Sequence, residues 1–212
     1  MLGSGYGSLL LMRAGIAYRL GVRGYAGGHS GATATIPYDP NEHVGRMALR
    51  FAEKLGATEV PEVRPQLYLP KRDLRECGIV VEPVGGYQEK RWPPQFYREL
   101  QKGLRGHNIV LLGGVSDQRL CAELAEGLSH VQDLAGRLTL SESFGCFAGA
   151  QLIICNSSMA MHVGAAFRKP CVALLGDGIP GAKQHALQWG YPETKVLGKT
   201  AIRSTIYNPG EC

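Results

Sequence analysis

From about Gln66 onward, short unbroken apolar runs alternate with stretches whose apolar residues recur at helical spacing. "GIVVEPV" (78–84), "NIVLLGG" (108–114), "QLIICNSS" (151–158) and "PCVALLG" (170–176) read as strands buried on both faces, because apolar residues fill successive positions instead of every second one. Between and after them, Pro93 to Leu104, Ser116 to Leu128 and Ser158 to Phe167 read as helices. Pro93 and Pro94 suit a first helical turn, where a missing N–H costs nothing. Doubly buried strands separated by helices predict an α/β fold, a parallel sheet covered by helices on both sides.

The first sixty residues follow another pattern. Asn41 to Leu55 reads as an amphipathic helix, with Val44, Met47, Ala48, Phe51 and Leu55 on one stripe and Gly56 where a C-terminal cap belongs. Beyond it there is one weak strand, near "YRLGVRGY" (18–25). One helix and one strand cannot enclose a core, so residues 1–64 read as an incomplete N-terminal domain. Residues 65–212 read as a Rossmann-like parallel-sheet domain, its regular part ending near 200, and "VPEVRPQLYLP" (60–70), with three prolines, as the linker.

Composition narrows the function classes. Hydrophobic residues make up 44% of the 212 and charged residues 19%, which excludes a disordered chain. The formal charge of +5 suits an anionic small ligand or an anionic surface. No stretch clusters Lys and Arg with interleaved aromatics, so nucleic acid is not an expected partner. No run approaches the ~20 apolar residues of a membrane span, and Met1 to Leu20 lacks the layout of a signal peptide. The six cysteines form no C-x-x-C pair and have no histidine at zinc spacing; most lie inside apolar runs and read as reduced and buried. No acidic cluster is available, so no metal is expected.

In open parallel sheets, ligands bind at the carboxyl ends of the strands. Four loops there carry the candidate chemistry. In "PVGGYQEKRWPP" (83–94), Gly85 and Gly86 permit close backbone approach, and Lys90 and Arg91 precede a helix start, a combination that suits a phosphate or is simply a solvated basic loop. In "LLGGVSDQ" (111–118), Gly113 and Gly114 end a strand, and Asp117 either caps the next helix or meets a ligand hydroxyl. In "CNSSMAMHVGAAF" (155–167), Ser157 and Ser158 stand at a helix N-terminus whose N–H groups and dipole favour a diphosphate, and His162 lies one turn in, on the side of Ser158. In "LLGDGIPG" (174–181), Gly176 opens a flexible loop. "GSGYGS" (3–8) fails as a dinucleotide loop because no strand precedes it, and no P-loop is present.

These loops, in this order, resemble the C-terminal half of glycosyltransferase family 9, which includes the ADP-heptose:lipopolysaccharide heptosyltransferases. "EKRWPPQFYRELQKGL" is similar to the family's Lys-x-Trp-Pro helix start, and "IVLLGGVSDQ" to its strand ending in Gly-Gly. "DLAGRLTLSESFGCFAGAQLIICNSSMAMHVGAAFRKPCVALLGDGIP" (133–180) follows its longest signature nearly residue for residue. Upstream, "SLLLMRAGIAYRLGVRGY" (8–25) resembles a stretch of the first domain. The resemblance implies a GT-B-like arrangement and inverting transfer of a sugar from a nucleoside-diphosphate sugar, ADP-heptose being the family's donor, to a lipid-linked, lipopolysaccharide-core-like acceptor. No cofactor is implied besides that donor substrate. It also implies a cytoplasmic protein acting at the inner face of the inner membrane, which it touches only peripherally.

Carried over by position, the resemblance puts Lys90 on the donor phosphates, Leu138 and Leu140 along the base pocket, Asp117 near the ribose, and Ser157, Ser158 and His162 around the diphosphate and sugar. Two positions depart from it: Ser157 stands where the family has Asp, and Met159 where it has Gly. A serine offers less charge and shorter reach to a sugar hydroxyl than a carboxylate. The family's catalytic base belongs to the opening of the first domain, which nothing before Leu9 matches, so no residue is named for it; the tail at "YNPGEC" looks short. The rival readings are a non-catalytic nucleotide-sugar-binding module and an NAD-type Rossmann protein, the latter disfavoured by the missing strand–GxGxxG–helix unit.

Overall fold

The computed structural model describes residues 4–85, 90–176 and 181–199, apart from the Arg72 side chain. The chain divides into two compact units, whose described parts are 4–63 with 187–189, and 64–186 with 190–199.

The larger unit is a six-stranded parallel sheet. Its strands in chain order are β3 (Cys77–Glu82), β4 (Ile109–Leu111), β5 (Val131–Asp133), β6 (Ala150–Asn156), β7 (Cys171–Leu174) and β8 (Thr194–Leu197), after the α1, β1, β2 and α2 of the smaller unit. The spatial order is β5-β4-β3-β6-β7-β8, the doubly wound order, in which strand order reverses between β3 and β6. β3 and β6 register Val80 against Ile153 and Glu82 against Cys155. Crossovers are made by α3 (Pro94–Gly103), α4 (Gln118–Ala125), α5 (Leu140–Gly149), α6 (Met159–Ala166) and α7 (Ala182–Trp189).

The unbroken apolar runs have their explanation in two cores. Successive strand residues point to opposite faces. Val80, Val110 and Ile153 join Phe147, Met161 and Val163 on one side. Ile79, Val81, Ile109 and Ile154 join Tyr97, Cys121 and Leu124 on the other. With both faces covered, no polar alternation survives in the sequence. The expected strands and helices of this unit form, each shorter than its apolar run. The segment read as a helix from Ser116 opens as a 3-10 turn at Val115–Asp117 and becomes α-helical only over Gln118–Ala125.

In the smaller unit, α1 (Gly5–Arg13) precedes a parallel pair, β1 (Leu20–Arg23) and β2 (Ala34–Pro37), and α2 (Val44–Lys54) follows. Val22, Ile36 and Met47 are its buried centre, with Tyr25, Tyr38 and Phe51 against them. "GSGYGS" is therefore largely the start of a helix, capped by the Ser4 hydroxyl, which accepts from Gly7 N–H at 3.2 Å. β2 was not expected: its four residues carry too little pattern to stand out, and only pairing with β1 makes them a strand. Gly56, at φ +98°, ends α2 in the left-handed conformation anticipated for it. Among the described residues no helix is long and apolar enough to cross a membrane.

α5 comes unusually close to the segment leading into β3. A Cβ built on Gly149 would stand 1.6 Å from the Arg75 carbonyl oxygen, and one on Gly145 1.7 Å from that of Asp73. Backbone cannot yield as a flexible side chain does, so Gly145→Ala or Gly149→Ala should each cost about 2–3 kcal/mol, the upper part of the range for overpacking. Urea unfolding should show this as a lower midpoint at unchanged slope. Gly103→Ala is the control: its Cβ meets nothing within 4 Å, and the midpoint should hold or rise.

Candidate functional site

The reversal between β3 and β6 brings the ends of both strands, Glu82 and Asn156, side by side, and the candidate loops open from there. Asn156 is completely buried. Its Oδ1 accepts the Trp92 N–H at 2.7 Å, and its Nδ2 donates to the Val84 carbonyl at 3.1 Å. One side chain thus closes the loop after β3 from both ends. Arg91 tightens it further, donating through Nε (3.0 Å) and a terminal nitrogen (2.8 Å) to the Gly85 carbonyl.

Lys90 sits between these anchors, half-buried, with its carbonyl accepting the Gly176 N–H at 3.1 Å. The loop after β3 and the end of β7 are thereby joined at two of the candidate residues. The basic pair expected at 90–91 divides its roles: Arg91 is a structural clamp, and the charge of Lys90 reaches His185, whose protonation it opposes. At the start of α3 fewer N–H groups are available beside this pair than a helix start usually offers. Pro93 and Pro94 carry none, and the Trp92 N–H is taken by Asn156.

At the α6 N-terminus, Ser158 is the N-cap, its Oγ accepting the Ala160 N–H at 3.3 Å while donating to Glu82 Oε2 at 2.7 Å. Ser157 Oγ is 2.7 Å from Nε2 of His185, on α7. His162 Nδ1 is 2.8 Å from the Tyr191 hydroxyl, with the rings edge to face at 5.7 Å. Ser158 and His162, expected on one side of the helix, thus have separate partners.

Burial sets the charges here. Glu82 is only 7% exposed; desolvation raises its pKa to about 8, the nearby Asp117 charge adding to this, while the Ser158 hydrogen bond and Arg91 act against it. His185 is pushed down to about 4, first by desolvation and then by the Lys90 and His162 charges. Near neutral pH both side chains are uncharged.

The other candidates fall as follows. Gly113 and Gly114 lead into the 3-10 turn, where Asp117 Oδ2 accepts the Gly114 N–H at 2.9 Å; Asp117 thus braces its own loop and makes no side-chain cap to α4. Leu138 packs partly buried on the α5–α6 core, and Leu140, 63% exposed, starts α5 beside its N-cap, Thr139. Gly86 lies outside the described residues. Glu82, Asn156, His185 and Tyr191 were not singled out beforehand. Glu82 had a signal, being the one charged residue in "GIVVEPV", but nothing near His185 or Tyr191 in sequence pointed to the site. A cavity of about 620 Å³, lined among others by Cys77, His107 and Gln151, opens at the amino ends of the strands and contains none of the candidates.

The chain is similar to known proteins of one family. The model of glycosyltransferase family 9 (heptosyltransferase) matches residues 31–202. Lipopolysaccharide heptosyltransferase 2 of Escherichia coli is 37% identical over 98 residues, 43% of this chain and 28% of that protein. Lipooligosaccharide heptosyltransferase 2 of Haemophilus ducreyi is 32% identical over 149 residues, 66% of this chain and 38% of that one. The chain spans between 28% and 51% of the length of the curated relatives it matches. Among solved structures, E. coli ADP-heptose lps heptosyltransferase II superposes with a TM-score of 0.66 at 24% identity, over 96% of this chain and 69% of that one. E. coli heptosyltransferase WaaC with ADP gives 0.70 at 20%, over 96% and 66%. These likenesses bear on the fold. The family model, extending from β2's approach through β8 and over the whole candidate site, bears on descent: the chain belongs to glycosyltransferase family 9, the heptosyltransferase family.

Proposed function

We propose that the chain provides the donor side of an inverting glycosyltransferase that moves a sugar from a nucleoside-diphosphate sugar, ADP-heptose first among them, to a lipopolysaccharide-core-like acceptor. One observation supports this above others: in a chain of this family, Lys90 and the Ser158-capped N-terminus of α6 converge at the point of strand reversal. A cation, first-turn N–H groups and the positive end of a helix there suit a diphosphate.

In the reaction, an acceptor hydroxyl gives up its proton to a general base as its oxygen attacks the anomeric carbon from the face opposite the diphosphate. The bond from that carbon to the phosphate oxygen breaks, and its electron pair leaves with the nucleoside diphosphate. Charge therefore grows on the diphosphate, where Lys90 and the α6 N-terminus stabilise it. Leu138 and Leu140 flank the adenine, Asp117 approaches the ribose, Gly113, Gly114 and Gly176 leave room for the backbone to come close, and Ser157 and His162 face the sugar. The acceptor is lipid-linked, which places the reaction at the inner face of the inner membrane with peripheral contact only.

Isothermal calorimetry should find ADP bound, more weakly as salt rises because part of the attraction is between charges. Absence of binding to ADP, UDP and GDP at millimolar concentration would sink the proposal. Lys90→Ala should lose about 1.5–3 kcal/mol of ADP binding, the range for a hydrogen bond to a charged group. It should leave the thermal midpoint of the unliganded protein nearly unchanged, since the Lys90 backbone contacts survive; an unaltered affinity would return Lys90 to a solvated loop. Mass spectrometry of ADP-heptose with a lipopolysaccharide-core acceptor separates enzyme from binding module: a heptose-extended product supports transfer, and donor binding without product supports the module.

A further inference from the structure

A carboxyl group beneath a diphosphate site is an unexpected neighbour for an anion. Glu82 ends the central strand β3, is 7% exposed, and has its Oε2 bonded to the hydroxyl that caps α6. We propose that Glu82 is a proton-linked positioning residue: it keeps its proton while a nucleoside diphosphate occupies the α6 N-terminus, so at alkaline pH, where the empty site has lost that proton, the protein takes one up as the diphosphate binds and releases it as the diphosphate leaves. This rests on the reading of the α6 N-terminus as the diphosphate site.

The surroundings of Glu82 decide its charge. From the loop before α3, the Arg91 charge acts on it, and two of the Arg91 donors are already engaged by the Gly85 carbonyl. From the 3-10 turn, Asp117 adds a like charge. Tyr97 on α3, Cys121 on α4 and Cys155 on β6 also feel Glu82; burial holds the first two un-ionised, and the Cys171 hydrogen bond followed by burial does so for Cys155, so none adds a further negative charge. Ser158 donates to it, and a serine hydroxyl can donate to a neutral carboxyl as well as to a carboxylate.

With its pKa near 8, Glu82 in the empty site is largely neutral at pH 7 and loses its proton above pH 8. A second anion held by the same helix N-terminus opposes that loss. The sign follows from linkage: the ligand binds the protonated form more tightly, so binding carries proton uptake and affinity falls as pH rises past 8. The transfer reaction adds one negative charge to the diphosphate, so the product calls for the proton more strongly than the donor sugar nucleotide does. Glu82 would thus hold the capping hydroxyl in place without repelling the donor, and respond to the charge that the reaction creates.

The test is ADP binding to the wild-type chain by calorimetry, at pH 8.5 in buffers of different ionisation enthalpy. The terminal phosphate of ADP ionises near about pH 6, so a proton taken up at pH 8.5 comes to the protein and not to the nucleotide. If bound ADP makes the Glu82 proton about tenfold harder to remove, about half a proton is taken up at that pH and affinity falls about tenfold between pH 7 and 10. Glu82→Gln should bind ADP with neither effect. Carbon-13 NMR of glutamate-labelled wild-type protein gives a readout free of any variant: one carboxyl should titrate near pH 8 in the empty protein and higher with ADP present. ADP binding without proton uptake, or equal pH dependence in wild type and Glu82→Gln, would overturn the role of Glu82 and leave the diphosphate site standing. No ADP binding at all would overturn both.

Discussion

The site depends on one buried amide. Asn156 has no exposure, and the oxygen and the nitrogen of its side chain are each committed, to the Trp92 N–H and the Val84 carbonyl. Removing either partner leaves a buried polar group unsatisfied, at about 1–3 kcal/mol. Only an amide supplies donor and acceptor together at this length: aspartate would lack the donor and leucine both. Through this single residue, the end of β6 holds Val84 and Trp92, and with Trp92 the neighbouring Lys90. The Arg91 clamp and the Gly176 bond to the Lys90 carbonyl are built onto that frame.

The parallel sheet was readable in the sequence because both faces of its four central strands, β3, β4, β6 and β7, are covered, which turns each of these into an apolar run bounded by turn residues. What was unreadable depended on pairing or distance. β2 exists because β1 lies beside it, and β5, only Val131–Asp133, is too short to leave a periodic trace. Site residues show the same division. Lys90, Ser157, Ser158 and His162 stand in runs whose spacing is local, and the capping by Ser158 could be anticipated from its place between strand and helix. His185 and Tyr191 reach the α6 turns from 28 and 29 residues away, and no local rule joins such positions. Glu82 announced itself as a charge in an apolar strand, although its meaning required its burial and its bond to Ser158.

The resemblance to the family also made one departure interpretable. With Ser157 in place of an acid, the α6 turn lacks a carboxylate of its own, and the imidazole hydrogen-bonded to Ser157 is uncharged near neutral pH. Glu82, the acid closest to this turn by hydrogen bonding, is also neutral there. Among the described residues, the α6 turn itself therefore holds no anion to oppose Lys90 and the helix dipole.

The packing of Trp92 has a practical consequence. Its ring lies 5.4 Å from Phe96 and, edge to face, 5.0 Å from Tyr97, while its backbone N–H is held by Asn156 two positions beyond Lys90. The chain has one other tryptophan, Trp189, which is 36% exposed at the end of α7. An indole wedged among aromatics emits at shorter wavelength than one in contact with water, so the two separate in an emission spectrum. Trp92 is thereby a resident optical reporter: any ligand that shifts the Lys90 loop will alter its fluorescence without a dye being attached.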